Sequence, residues 1–114
     1  MNKHSVTHPD GTTSTRNSQN RIYTHAVVVG PADPEAYATE LERVAELGKG
    51  FGPEWCEEVL AKAATVRAKG EPVGKWTAIA WCGRADLADK QLKSNTGWCR
   101  KEGRTVQVVE VTLH

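Results

Sequence analysis

Three side chains with useful chemistry alternate along one predicted strand. Arg21, Tyr23 and His25 stand two residues apart in a run of mostly β-branched and aromatic residues over 21–29, and side chains two apart along a strand share a face. A guanidinium, a phenol and an imidazole in a row can bind a phosphate, stack on a base or exchange protons near neutral pH. The alternative is structural, since an imidazole without a paired carboxylate or nucleophile usually only satisfies its own hydrogen bonds.

Basic residues next to aromatic ones extend this set. Arg16 precedes the strand among Asn, Ser and Gln side chains that suit phosphate oxygens and base edges, and Trp98 lies beside Arg100 and Lys101. Aromatic and basic residues together favour single-stranded nucleic acid, although a Trp that caps a sheet edge shows the same pattern. The candidate ligand or nucleic-acid-binding residues are Arg16, Arg21, Tyr23, His25, Trp98, Arg100 and Lys101.

The charge distribution predicts a different surface. The net charge is only +1, yet residues 33–58 carry eight acidic side chains against two basic ones, and residues 62–104 carry ten basic against four acidic. An acidic face can steer toward a basic partner, unless the two halves lie side by side and neutralise each other. The candidate protein-partner residues are Glu40, Glu42, Glu46, Glu54, Glu57 and Glu58.

The pattern predicts no metal and no cofactor. Each of the three cysteines follows a tryptophan, at 56, 82 and 99, and these spacings lack the close Cys pairs of zinc sites. No glycine-rich phosphate-binding motif occurs. Three cysteines cannot all pair within one chain, no apolar run could span a bilayer, and the N-terminus has no apolar signal region. We therefore expect a reduced, cytoplasmic protein that is not membrane-bound.

The hydrophobic pattern predicts an α+β fold. Val27–Val29 is apolar on both faces, as in a central strand, and helices over about 34–47 and from 53 to before 70 form an αα-hairpin. A second central strand over 75–82 would place Trp76 and Trp81 on opposite faces.

The C-terminal half predicts a shorter helix and further strands. A helix over 84–93 is expected to end at the turn-forming residues Asn95-Thr96-Gly97, before a hairpin of 98–100 with 105–113. The fold class is thus a three- to five-stranded sheet packed against the αα-hairpin and one shorter helix. Residues 1–20 form a polar, partly flexible segment in which the turn at 8–11 allows a hairpin, and residues 21–114 form one domain.

Three stretches carry a resemblance to known proteins. Arg21-Ile22-Tyr23-Thr24-His25-Ala26-Val27-Val28-Val29, Trp81-Cys82-Gly83-Arg84-Ala85-Asp86-Leu87-Ala88 and Gly103-Arg104-Thr105-Val106-Gln107-Val108-Val109 resemble small uncharacterised proteins of phages that infect actinobacteria. The resemblance implies a cytosolic accessory protein made during infection, aimed at host machinery or phage nucleic acid, and carries over no catalytic residue.

Three functions follow as hypotheses. The first is a small non-enzymatic accessory protein that binds a host protein through the acidic residues. The second is a nucleic-acid-binding protein that uses the N-terminal segment and the basic second half. The third is a small enzyme acting on a nucleotide or phosphorylated ligand, for which the row of Arg21, Tyr23 and His25 needs a further polar group such as Ser18, Arg84 or Asp86.

Overall fold

The chain forms six strands and three α-helices, and the computed structural model describes residues 1–114. Their order is β1 (Asn2–Thr7), β2 (Thr13–Ser18), β3 (His25–Val29), α1 (Pro34–Leu47), a 3₁₀ turn (Lys49–Phe51), α2 (Pro53–Lys69), β4 (Thr77–Cys82), α3 (Ala85–Lys101), β5 (Val106–Glu110) and β6 (Thr112–Leu113). The strands form two antiparallel three-stranded sheets, ordered β4-β3-β5 and β2-β1-β6. The predicted α+β class with an αα-hairpin is confirmed.

The central strand β3 is covered on both faces, as its apolar run predicts. On one face Val27 packs with Cys82 and with Ala88 of α3. On the other face Ala26 and Val28 pack against Val6 of β1. Helix α3, the β4-β3-β5 sheet and the N-terminal sheet are therefore three successive layers.

The N-terminal residues belong to the core. Strands β1 and β2 pair over six residues each, and the turn between them closes with a 2.7 Å bond from the His8 N–H to the Thr12 carbonyl. Alternate side chains of β1 point inward and His8, just after the strand, continues the pattern, so His4, Val6 and His8 are at most 3% exposed. A segment that looks polar in sequence thus contributes two histidines and one valine to the interior.

A β-bulge at Ile79 corrects the prediction for the two tryptophans of the second strand. The pairing passes from Val27 opposite Ala80 to Val28 opposite Ala78, which leaves Ile79 as an extra residue. The extra residue reverses the alternation of faces. Trp76 and Trp81 consequently pack on the same cluster beside Val6, rather than on opposite faces.

Helix α3 is longer than its sequence indicates. It runs on through Asn95, Thr96 and Gly97 to Lys101, and the Asn95 and Thr96 side chains bond to carbonyl groups four residues earlier at 2.7 Å each. Ala88, Leu92 and Cys99 continue one inward stripe at helical spacing. The predicted helix end, and with it the short strand at 98–100, is wrong.

The predicted C-terminal strand is divided in two. Its first part, β5, pairs with β3, and its second part, β6, pairs with β1. Between them the Val111 N–H bonds to the Thr24 carbonyl at 3.0 Å. The chain therefore passes from one sheet to the other at Val111.

The αα-hairpin extends away from the sheets. Helices α1 and α2 pack through the buried Ala38, Ala45 and Ala63, whereas α3, which has 17 residues like α2, is the helix that covers the sheet. The radius of gyration is 17.0 Å and the longest dimension 49 Å. A compact domain of this length would have a radius of about 13 Å, so the hairpin is an arm.

Candidate functional site

A cleft of about 520 Å³ opens where three segments meet. One segment connects β2 to β3, the second is the end of β4, and the third is the first half of α3. The lining residues are Arg21, Ile22, Tyr23, Trp81, Cys82, Gly83, Arg84, Leu87, Lys90 and Gln91. The volume lies within the range of small-ligand sites in proteins.

Hydrogen bonds to the N-terminal hairpin hold the first segment in place. The Tyr23 N–H donates to Nε2 of the buried His4 at 3.0 Å, and the Arg21 N–H donates to Oγ of Ser18 at 3.0 Å. The Asn2 amide donates to the Arg21 carbonyl at 3.2 Å. Residues 21–23 are thus fixed by side chains rather than by strand pairing.

The floor of the cleft is apolar and aromatic. The Tyr23 ring lies edge-on to His4 at 4.9 Å and tilted against Trp81 at 6.3 Å between centroids. The Arg16 guanidinium carbon lies 5.3 Å from the centroid of the same ring, within cation–π distance. Tyr23 is thereby almost fully buried, and Trp81, Ile22 and Leu87 supply the accessible apolar surface.

The rim of the cleft is cationic. Arg21, Arg84 and Lys90 are exposed, and no Asp or Glu is among the lining residues. Arg84 makes a 3.3 Å ion pair with the exposed Asp86, whereas neither Arg21 nor Lys90 has an acidic partner within ion-pair distance. A concave site lined by one sign of charge concentrates ligands of the other sign, so the cleft favours an anion.

Cys82 is the one cysteine among the lining residues of the cleft. Burial raises the pKa of this thiol, which keeps it protonated and makes it a weak nucleophile. The lining includes no imidazole and no carboxylate, and nowhere do three His, Cys, Asp or Glu side chains converge as metal ligands.

The predicted row of Arg21, Tyr23 and His25 does not form. Strand β3 begins only at His25, because residues 21–24 bond mainly to side chains of the β1–β2 hairpin and to β4. Arg21 and Tyr23 line the cleft, but His25 lies outside it with Nδ1 2.8 Å from Oγ1 of Thr24. The imidazole on which the enzyme hypothesis depends is therefore not part of the cleft.

The other predicted basic residues lie at the opposite end of α3. Arg100 is 13 residues beyond Leu87, or about 20 Å along a helix, and Lys101 follows it. The Trp98 indole N–H donates to Oδ1 of Asn95 at 2.7 Å, and the Arg104 guanidinium carbon lies 6.0 Å from its ring centroid. These residues do not join the cleft.

The acidic candidates divide into two groups. Glu40, Glu42 and Glu46 pair with Arg43, Arg67 and Lys49, respectively, and the hydrogen bonds from the two arginines hold the pKa values of Glu40 and Glu42 below their ordinary range. Glu54, Glu57 and Glu58 have no cation within ion-pair distance. Local pairing thus neutralises half of the predicted acidic surface.

Sequence reasoning missed most of the cleft. Lys90, Leu87 and Ile22 carry no motif, and the sequence suggests Arg84 only as a polar group to assist His25. The available signal was the end of an apolar strand at Cys82 followed by Gly83 and a helix, since the loops that connect such elements often carry binding residues. Which residues lie opposite that strand end depends on the path of the chain.

Two further observations bear on the class of protein. None of the three α-helices combines the length and the apolar character needed to cross a membrane. No family model matches this chain, and neither a curated protein nor a solved structure is significantly similar to it.

Proposed function

We propose that this protein binds single-stranded nucleic acid and seats one nucleotide in the cleft. The observation that supports this proposal is the cationic rim of Arg21, Arg84 and Lys90 around a floor that contains Trp81 and has no acidic lining residue. A nucleotide has the matching parts, since its phosphate is anionic and its base has a flat π face that stacks on aromatic side chains.

The two parts of the cleft have separate tasks. Arg21 and Lys90 contact phosphate, because they are the rim cations without an acidic partner. Trp81, Ile22 and Leu87 contact the base. Arg16 of β2, which lies over the Tyr23 ring, extends the positive surface beyond the cleft. Bases in a duplex are stacked and paired, so a concave site of this kind favours a single strand.

Fluorescence anisotropy with labelled oligothymidylate and oligouridylate tests the proposal. We expect the affinity to fall linearly on a log–log plot against salt, because phosphate contacts release counterions. Arg21→Ala and Lys90→Ala should each weaken binding and flatten the salt slope by about 0.7. Lys69→Ala removes a similarly exposed lysine from α2, away from the cleft, and should change neither quantity.

The apolar floor predicts a different signature. Leu87→Ser should weaken binding several-fold without changing the salt slope, since it removes contact with the base and no charge. A duplex of the same length and a mononucleotide are the comparison ligands. Binding that is equal for duplex and single strand, or confined to the mononucleotide, would overturn the proposal.

A further inference from the structure

The far end of the αα-hairpin exposes two large apolar side chains. Leu47 at the end of α1 is 72% exposed and Phe51 in the connecting turn is 81% exposed. The Phe51 ring lies 5.5 Å from that of Trp55, which is half-buried at the start of α2. We call Leu47, Phe51 and Trp55, together with Glu54, Glu57 and Glu58, the hairpin tip. Large contiguous exposed apolar surface marks an interaction site, and the Phe51 and Trp55 rings supply a contiguous part of such a surface.

Close packing and a glycine turn constrain the connection at the hairpin tip. The Trp55 ring packs against Gly48 so closely that a Cβ atom at that position would lie 2.3 Å from it. Gly52 adopts a φ of 108°, which glycine tolerates best, and Pro53 starts α2 at once. A preorganised apolar surface loses little conformational entropy when a partner binds.

The charge of the hairpin tip selects the chemistry of the partner. Residues 46–58 carry four acidic side chains against one basic, a net charge of −3. The basic one, Lys49, is paired with Glu46 at 2.7 Å, so Glu54, Glu57 and Glu58 are left without a cation. Three carboxylates without an ion-pair partner, all within seven residues of Phe51 along the chain, repel nucleic acid and attract a cationic surface.

We infer that the hairpin tip binds a basic, amphipathic segment of another protein. The lysines or arginines of the bound segment face Glu54, Glu57 and Glu58, and the apolar side chains of that segment pack on Leu47 and Phe51. This surface belongs to a different element from the cleft, so the inference stands independently of nucleic-acid binding. It keeps the protein partner predicted from the acidic sequence but moves the contact from Glu40, Glu42 and Glu46 to the end of the arm.

A synthetic helical peptide of leucine and lysine at helical spacing is the probe, and the same peptide with glutamate for lysine is its counterpart. We expect the full-length protein to bind the lysine peptide at least tenfold more tightly, as measured by anisotropy of a labelled peptide. Backbone amide chemical shifts should change at residues 47–58. Equal binding of both peptides would overturn the inference.

Variants locate the contact. The double variant Leu47→Ser, Phe51→Ser should weaken binding of the lysine peptide at least tenfold, and Glu54→Gln, Glu57→Gln, Glu58→Gln together should weaken it and flatten its salt dependence. Leu113→Ser alters an exposed apolar residue elsewhere and should have no effect. Circular dichroism verifies that each variant is folded.

Two results separate this inference from its alternatives. Arg21→Ala with Lys90→Ala should leave peptide binding intact even where it abolishes nucleic-acid binding, so the two proposals fail independently. Analytical ultracentrifugation tests self-association. Should Phe51→Ser convert a dimer into a monomer, the hairpin tip would bind a second copy of this chain, and the inference would be wrong.

Discussion

The backbone N–H of Tyr23 donates a 3.0 Å hydrogen bond to Nε2 of His4, a residue with no exposed surface. Because Nε2 accepts, the ring proton resides on Nδ1, which donates to the Arg16 carbonyl at 3.1 Å. One buried imidazole thus joins both strands of the N-terminal hairpin to the segment that lines the cleft. The β1–β2 hairpin therefore helps to position the residues of the cleft.

Replacement of His4 should destabilise the fold and weaken binding together. His4→Ala leaves the buried N–H of Tyr23 without an acceptor, which costs about 1–3 kcal/mol, and His4→Gln should recover part of the loss. Urea denaturation measures the stability and anisotropy measures the oligonucleotide affinity, whose salt slope should not change. The control is His25→Ala, since this half-buried ring bonds only to its neighbour Thr24. Equal losses for the two alanine variants would contradict the assigned role of His4.

The connection between α1 and α2 offers a matched pair of glycines. Gly48→Ala places a methyl group 2.3 Å from the Trp55 ring and should destabilise the protein by about 1–3 kcal/mol. The φ of Gly48 is −95°, so the cost comes from the clash and not from the backbone. Gly50→Ala meets open space and should leave the melting temperature unchanged or slightly raised. Similar melting temperatures for both variants would show that Trp55 moves aside freely.

Local signals in the sequence were sufficient to predict where the first helix begins. Asp33 before Pro34 predicts its start, and in the structure the Asp33 carboxylate accepts from the Ala36 N–H at 2.9 Å. The apolar run of β3 likewise predicts a central strand. Both features depend on neighbouring residues alone, which is why the pattern suffices.

Features that depend on tertiary contacts could not be predicted from the sequence. The bulge at Ile79 places Trp76 and Trp81 on one face, and no residue type signals it. The turn-forming Asn95 and Thr96 stay helical because Leu92 and Cys99 pack inward on either side of them, and their own side chains bond back to carbonyl groups of α3. The cleft joins Arg21 to Lys90 across 69 positions of the chain, so only the fold reveals their proximity.

The three cysteines should react with iodoacetamide in a defined order. Burial raises the pKa values of the Cys82 and Cys99 thiols, which lowers their thiolate fraction at neutral pH and slows alkylation. Cys56 is half-buried and lies near the surface groove between α1 and α2, so it should be modified first. Mass spectrometry of timed samples measures the order, and the rates at the two buried sites should rise with pH. Fastest modification at Cys82 would mean that its thiol is exposed in the cleft rather than buried.

A single arginine connects the two helices of the arm, and its contribution should disappear in acid. Arg67 on α2 bonds to Glu35 at 3.0 Å and to Glu42 at 2.7 Å, both on α1. The hydrogen bond from Arg67 lowers the pKa of Glu42 from its ordinary 4.5. A carboxylate with a lowered pKa in the folded state stabilises the fold above its unfolded pKa, and this stabilisation is lost as the pH falls through the folded pKa.

Glu42→Gln should therefore lower the melting temperature near neutral pH, and the difference from the unmodified protein should shrink steadily below about pH 4.5. Added salt should also reduce the difference, because the pair is exposed to solvent. Glu57→Gln is the control, since this exposed glutamate on α2 has no cation within ion-pair distance and should change the melting temperature little at any pH. Thermal denaturation followed by circular dichroism measures both variants across the pH series. A difference for Glu42→Gln that persisted unchanged in acid would show that the side chain acts through packing rather than through its charge.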